Sequence, residues 1–213
     1  MNKTLIINAH PKIDDTSSVS LQVFNRFLQA YKELIPDSEV IEQINLYSDV
    51  VPMIDKTVLS AWEKQGKEQE LTSQEKKVTE RMSEILQQFK SAKTYVIVLP
   101  LHNFNIPSKL KDYMDNILIA RETFKYIENG SVGLLKDGRR ILIIQASGSI
   151  YTNDDWYTEV DYSQKYLKSM FNFIGIEDYQ VIRAQGTALR DTYEVLGNAY
   201  KEAEEAASRL ATK

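Results

Sequence analysis

The chain has 213 residues, a formal net charge of -4, no cysteine and two histidines, His10 and His102. That length suits one α/β domain, residues 1–213, with a substantial core, and the acidic balance argues against nucleic acid as a partner. Missing cysteines exclude disulfides, thiolate catalysis and iron–sulfur ligation, and two histidines argue against a dedicated zinc site.

Met1-Asn2-Lys3 leads into an apolar run with no signal-peptide cleavage pattern, and no run has membrane-spanning length. A cytoplasmic protein without membrane contact is expected. Thr4 to Ala9 reads as a first strand, followed by the polar loop His10 to Ser18. From Val19, Leu21, Phe24, Phe27, Leu28, Tyr31 and Ile35 recur at helical spacing until Pro36-Asp37-Ser38. Glu39 to Leu46 is a second strand. Ser48 to Leu71 is less regular, with a short helix over Lys56 to Lys67, and Gly66 with the charge cluster after it reads as an exposed excursion toward a partner subunit. Thr72-Ser73-Gln74-Glu75 has capping-box spacing ahead of an apolar stripe through Val78, Met82, Ile85, Leu86 and Phe89.

Tyr95 to Leu99 is an unbroken apolar run, as in a strand buried on both faces of a parallel sheet, and Pro100 ends its pairing. A helix begins after Pro107. Phe124 to Gly130 is a strand-and-turn excursion, and Asp137-Gly138 is a turn. Arg140 to Ala146 is the fourth buried strand, and Tyr151 to Asp161 a loop over the same edge. A helix with Tyr166, Leu167, Met170, Phe171 and Ile174 on one face stops at Gly175. Gln180 to Ala184 is a fifth strand, and a capped terminal helix follows Asp191. There is no internal repeat or linker. Strands alternating with helices give an α/β fold: a doubly wound, five-stranded parallel sheet of order 2-1-3-4-5, helices on both faces. The ligand crevice is expected between strands one and three.

Three loops on that edge carry the chemistry. Thr16, Ser17 and Ser18 stand at a helix start, where free N–H groups favour an anion, and His10 adds a donor. The plainer alternative is a serine N-cap. Leu101, His102, Asn103 and Phe104 offer aromatic faces beside turn-forming asparagines (Asn103, Asn105) whose backbone donors stay free. Its alternative is a polar turn with one core phenylalanine. Ala146, Ser147, Gly148 and Ser149 let a backbone approach a ring edge, or form a simple turn. No Gly-x-x-x-x-Gly-Lys or Gly-x-Gly-x-x-Gly pattern occurs. A phosphate seat, a stacking wall and a polar ring edge together suit FMN.

The chain resembles the FMN-dependent NADH:quinone oxidoreductases and azoreductases of the flavodoxin-like superfamily over nearly its full length. The resemblance is carried by Pro100-Leu101-His102-Asn103-Phe104-Asn105-Ile106-Pro107 with Leu110 to Asp115, by Thr123 to Gly130 with Gly133-Leu134, and by Phe171-Asn172-Phe173-Ile174-Gly175-Ile176. It implies a homodimer with interface active sites and non-covalent FMN. The phosphate would be held by His10, Thr16, Ser17 and Ser18. The isoalloxazine would be lined by Leu101 to Phe104 and met at its pyrimidine side by Ala146 to Ser149. NADH or NADPH would reduce the flavin, which would pass two electrons to a quinone or azo compound, with no side-chain acid required. Tyr126 and Phe171 are candidate substrate walls, each with a core alternative. His102 stands where the family usually has tyrosine or tryptophan, and Gly148-Ser149 where it has Gly-Gly. The competing functions are a flavodoxin-type one-electron carrier and a receiver-like module; the latter needs an acidic cluster at the end of strand one, where this chain has His10-Pro11, with Asp14 and Asp15 displaced into the loop.

Overall fold

The computed structural model describes residues 3–36 and 39–212; Met1, Asn2, Asp37 and Ser38, on which part of the N-terminal and first-helix reading falls, and Lys213 lie outside the described residues. Strand β1 (Lys3–Asn8) is followed by α1 (Val19–Leu34), β2 (Val40–Asn45), α2 (Lys56–Gly66) and α3 (Ser73–Ser91). The middle of the chain forms β3 (Thr94–Pro100), α4 (Ser108–Ile117), β4 (Phe124–Ile127) and β5 (Gly130–Gly133). Then come β6 (Arg140–Ser147), α5 (Trp156–Glu159), α6 (Tyr162–Ile174), β7 (Asp178–Gln185) and α7 (Thr192–Ala211).

The sheet runs β2-β1-β3-β6-β7 with every pair parallel, which is the expected 2-1-3-4-5 order of sheet strands. In β3 all residues but Pro100 are buried, so its apolar run reflects covered faces rather than intrinsic strand preference. Alternation divides the core. Leu5, Ile7, Ile97 and Ile143 face Phe89, Met114 and Phe171 of α3, α4 and α6. Ile6, Val96, Val98 and Leu142 face Phe24 and Phe27 of α1 and Ala203 and Ala206 of α7. Each large aliphatic side chain withdrawn from water contributes about 1.5–3 kcal/mol, and the small α7 residues let that helix approach closely.

The outlying segments differ from expectation in detail. The excursion after α4 is an antiparallel hairpin, β4 with β5, forming its own two-stranded sheet. It is rooted on α6: Leu135 N–H donates to Ile174 O at 2.9 Å. A Cβ on Gly133 would lie 2.3 Å from the Ile174 carbonyl carbon, so no side chain fits there. The segment expected as a loop from Tyr151 to Asp161 contains the one-turn helix α5, capped by Asp155. Gly175 ends α6 in a left-handed conformation at φ 100°, as its position suggested.

The Thr72–Glu75 capping box is present, and it also ties α2 to α3. Glu75 accepts from the Thr72 N–H at 2.8 Å, from Ser60 Oγ at 2.7 Å, and from Lys64 Nζ at 2.8 and 2.9 Å. The Lys64 ammonium first, then the Thr72 amide and Ser60 hydroxyl, hold its carboxyl down at about 2, below the ordinary 4.5. Because the folded pKa is depressed, this stabilisation is complete above about pH 4.5 and is lost as pH falls toward about 2. Urea unfolding of Glu75→Gln is therefore expected to show its largest deficit against wild type above pH 4.5, the two converging toward pH 2.

Candidate active site

The carboxyl edge of the sheet is where β1, β3 and β6 end side by side. Their ladder continues beyond the strands: Ala9 N–H donates to Val98 O and Leu101 N–H to Ala146 O, each at 2.9 Å. The loops bearing Thr16–Ser18, Leu101–Phe104 and Ala146–Ser149 thus leave adjacent strands on one edge, which brings these segments together.

After β3, His102 and Asn105 exchange both backbone hydrogen bonds, at 3.0 and 2.9 Å, around Asn103 and Phe104. Those two residues have φ of 46° and 65°. This is the two-residue hairpin turn in which both central residues are left-handed. The sequence pointed to Asn103 and Asn105 as turn formers; Phe104 takes the second position, and Asn105 Oδ1 accepts the Ile106 N–H at 2.8 Å. A phenylalanine in that region costs about 1–2 kcal/mol. Three contacts offset it: the paired bridge, a bond from Ser163 N–H to Phe104 O at 3.2 Å, and an edge-on contact with Trp156 at 5.4 Å. The Asn103 and Phe104 N–H groups have no partner among the described residues.

Ser163 is itself fixed by a buried polar cluster. Its hydroxyl donates to Gln145 Oε1 at 2.7 Å, as does Gln164 Nε2 at 2.8 Å, and Tyr179 Oη donates to Gln164 Oε1 at 2.7 Å. Burial raises the Tyr179 hydroxyl pKa well above its ordinary value, keeping it a neutral donor. The sequence reading missed this support, although Gln145 at the end of Ile141-Leu142-Ile143-Ile144 was a visible break in an apolar run.

In the first loop, Ser18 is the N-cap of α1: its Oγ accepts from Leu21 N–H and its carbonyl from Gln22 N–H. The first-turn N–H groups of Val19 and Ser20 remain available. Ser17 gives its N–H (2.9 Å) and hydroxyl (2.6 Å) to Asp15, holding that carboxyl below its ordinary pKa. His10 is buried, with Nδ1 2.7 Å from Lys12 O and 3.1 Å from Lys12 N; in the tautomer whose Nδ1 accepts the Lys12 N–H, Nε2 carries the proton and is a free donor. Thr16 is exposed.

In the third loop, Ser147 is buried and its hydroxyl donates to Ser149 O at 2.9 Å, so it braces the turn. A fourth segment, absent from the sequence reading, locks it from β7: Gly186 N–H reaches Ser147 O at 2.9 Å and Ala188 N–H reaches Gly148 O at 3.1 Å. Gly186 is left-handed at φ 82°, and a Cβ there would lie 3.0 Å from Ile150 Cγ1. At Gly148 a Cβ would meet only Ala188 Cβ, at an ordinary 3.5 Å.

The two substrate-wall candidates separate. Tyr126 stands on the β4–β5 hairpin, 75% exposed. Phe171 is corrected to the core: it is fully buried on α6 against Tyr179, where no ligand reaches it.

The edge thus presents helix-start donors after β1, a strained donor turn after β3, and an exposed glycine after β6. Residues 2–210 match a family described as having a flavodoxin-like fold. The chain is 82% identical to an FMN-dependent NADH:quinone oxidoreductase 1 of Bacillus cereus, covering all of both chains. A crystal structure of an FMN-dependent NADH-azoreductase from Bacillus anthracis in complex with FMN superposes with a TM-score of 0.99, at 82% identity over all of both chains. A second azoreductase from Bacillus anthracis, 29% identical, superposes with a TM-score of 0.89 over 98% of this chain and 100% of that one.

Gly186→Ala is expected to destabilise the protein by about 1–2 kcal/mol in chemical denaturation, whereas Gly148→Ala leaves the chain's stability nearly unchanged.

Proposed function

The chain belongs to the FMN-dependent NADH:quinone oxidoreductases of flavodoxin-like fold, and on that premise we propose that it binds FMN across the β1, β3 and β6 loops and uses NADH or NADPH to reduce quinones and azo compounds. The observation that carries this is the left-handed Asn103–Phe104 turn, with unpartnered N–H groups beside the open Gly148 edge.

The residues fit the cofactor in kind. The Val19 and Ser20 N–H groups, with Thr16, Ser18 and His10 Nε2, would hold the phosphate. Ser17 joins them only by exchanging Asp15 for the phosphate. Asn103 and Phe104 N–H groups would serve flavin N5 and O4. Gly148 and Ser149 N–H groups would serve N1 and O2, with Ser147 as brace rather than donor. Leu101 and His102 would line the ring, with Ala146 below.

When bound, FMN supplies two-electron exchange between the nicotinamide and the acceptor. The protein's part is to orient the ring, screen its inner face from water, and present donors already aimed by the turn. NADH and one solvent proton thereby convert a quinone to its hydroquinone; two of each split an azo compound into two amines. Neither reaction calls for a side-chain acid.

Exposed Met53, Leu59, Trp62, Tyr126 and Ile127 on and around α2 and the hairpin leave apolar surface uncovered. A homodimer, with Ile54–Gln69 reaching the second subunit, would cover it and complete each active site. Among the described residues no helix is long and apolar enough to cross a membrane, and a cytoplasmic location is proposed.

Purified protein is expected to be yellow, to release FMN on denaturation, and to bleach with NADH under anaerobic conditions without a partner reductase. A colourless protein that takes up no added FMN would overturn the reading, and bleaching only through a separate reductase would favour the one-electron carrier. Two substitutions probe the seat by FMN titration. Asp15→Asn removes a like charge from the phosphate loop and is expected to tighten FMN by roughly threefold. Gly148→Ala fills the ring edge and is expected to weaken it by at least about tenfold.

A further inference from the structure

Gln145 closes the buried run Ile141-Leu142-Ile143-Ile144 near the carboxyl end of β6, opposite Leu99 of β3 and Arg183 of β7. Packing alone would continue that run with another aliphatic residue, since burying an amide is costly unless its polar atoms are bonded. Here the amide oxygen accepts twice, from Ser163 Oγ at 2.7 Å and from Gln164 Nε2 at 2.8 Å. We propose that Gln145 is a positioning residue for the flavin. Through Ser163 it holds the Phe104 carbonyl, and so keeps the Asn103–Phe104 donors aimed in a geometry that favours the oxidised ring over the reduced one. The inference rests on the FMN-binding reading and assigns the redox preference of that site to a side chain behind it.

The chain of contacts is unbroken. Asp161 is the N-cap of α6 and takes the Gln164 N–H at 3.3 Å, while its other oxygen pairs with Arg183 at 2.7 Å. The Ser163 N–H lies in the same first turn, where no partner within the helix exists. It is given instead to Phe104 O at 3.2 Å. Gln145, Ser163 and Gln164 are buried, so water does not compete for these bonds. Tyr179, which burial keeps protonated, donates to Gln164 Oε1 at 2.7 Å and turns the Gln164 amide nitrogen toward Gln145. Phe104, at φ 65°, sits in a region that favours glycine and stays there only while its surroundings hold it. Gln145 also leads directly into the Ala146–Ser149 loop, so one residue joins the two loops proposed to flank the ring.

The redox consequence follows from what the two amides would face. Of the flavin atoms assigned to the turn, O4 accepts a hydrogen bond in both oxidation states. N5 accepts one only while oxidised, because reduction places a hydrogen on it. An amide fixed on N5 therefore binds oxidised FMN more tightly than reduced FMN, and an amide free to turn away loses that preference.

The test measures the midpoint potential of bound FMN by dye equilibration, and the affinity for oxidised FMN by titration, in Gln145→Met and Ser163→Ala. Each variant is expected to bind oxidised FMN about tenfold more weakly, with reduced FMN little affected, which raises the two-electron potential by about 30 mV. Because both residues act along one chain, the double variant is expected to shift the potential no further than the larger single shift. Tyr95→Phe removes buried bonds with Phe89 O, Ala92 O and Arg139 at the opposite end of β3 and controls for lost stability. It is expected to lower the denaturation midpoint and leave the potential unchanged. A potential that stays the same or falls in Gln145→Met and Ser163→Ala, additive shifts in the double variant, or an equal shift in Tyr95→Phe would overturn the proposal. Wild type that takes up no FMN would sink the flavin reading itself, a separate outcome. Should Gln145→Met fail to fold, Ser163→Ala, which deletes one oxygen and keeps the backbone N–H, carries the same test.

Discussion

Two backbone hydrogen bonds just beyond the strand ends, Ala9 to Val98 and Leu101 to Ala146, fasten the carboxyl edge of the sheet. Without them the three loops would diverge as soon as pairing stopped. With them the loops begin in fixed register, set by the parallel ladder of β1, β3 and β6. The register is enforced by burial: sliding any of these strands by one residue would turn its apolar side chains into the opposite layer. The packing that stabilises the fold also aligns the donors of the site.

Alignment alone does not aim a donor. The Asn103–Phe104 turn holds two residues in a region that favours glycine, and the surrounding structure stabilises it. The mutual His102–Asn105 bonds close the turn, Ser163 takes the Phe104 carbonyl, and Trp156 flanks the ring. Behind Ser163 the Gln145–Gln164–Tyr179 chain is fully paired at the links it makes, so a buried polar cluster here confers direction as well as stability. Donors fixed before the ligand arrives need little rearrangement when it does.

The sheet was legible in the sequence because its central strands are buried on both faces and read as unbroken Val-Ile-Leu runs. The short α5 was not, since one helical turn leaves no periodicity between Tyr151 and Asp161. In the site, the three loops could be named because strand ends and turn residues mark them. Which residues of each loop donate could not, because tertiary contacts decide it. Ser147 looked like a ligand donor and is spent on Ser149, and Ser17 is spent on Asp15. Phe104 rather than Asn105 adopts the left-handed turn because its carbonyl and ring find partners across the fold. Phe171 carried both readings at once; helical spacing could not tell an inward face from a pocket wall, and packing against Tyr179 settles it. Gly186 acts through a neighbour thirty-odd residues away in the chain (Ile150), which no local pattern reveals.

The root of the hairpin has a consequence for what substitution can change. At Gly133 the backbone lies so close against the end of α6 that no side chain is admitted, while a few residues away Tyr126 and Ile127 stand in solvent. A projection clamped at its base and unconstrained at its tip can exchange its outer residues with little effect on the scaffold. Substitutions at Tyr126 and Ile127 therefore change what the hairpin presents outward, with the packing at its base left untouched.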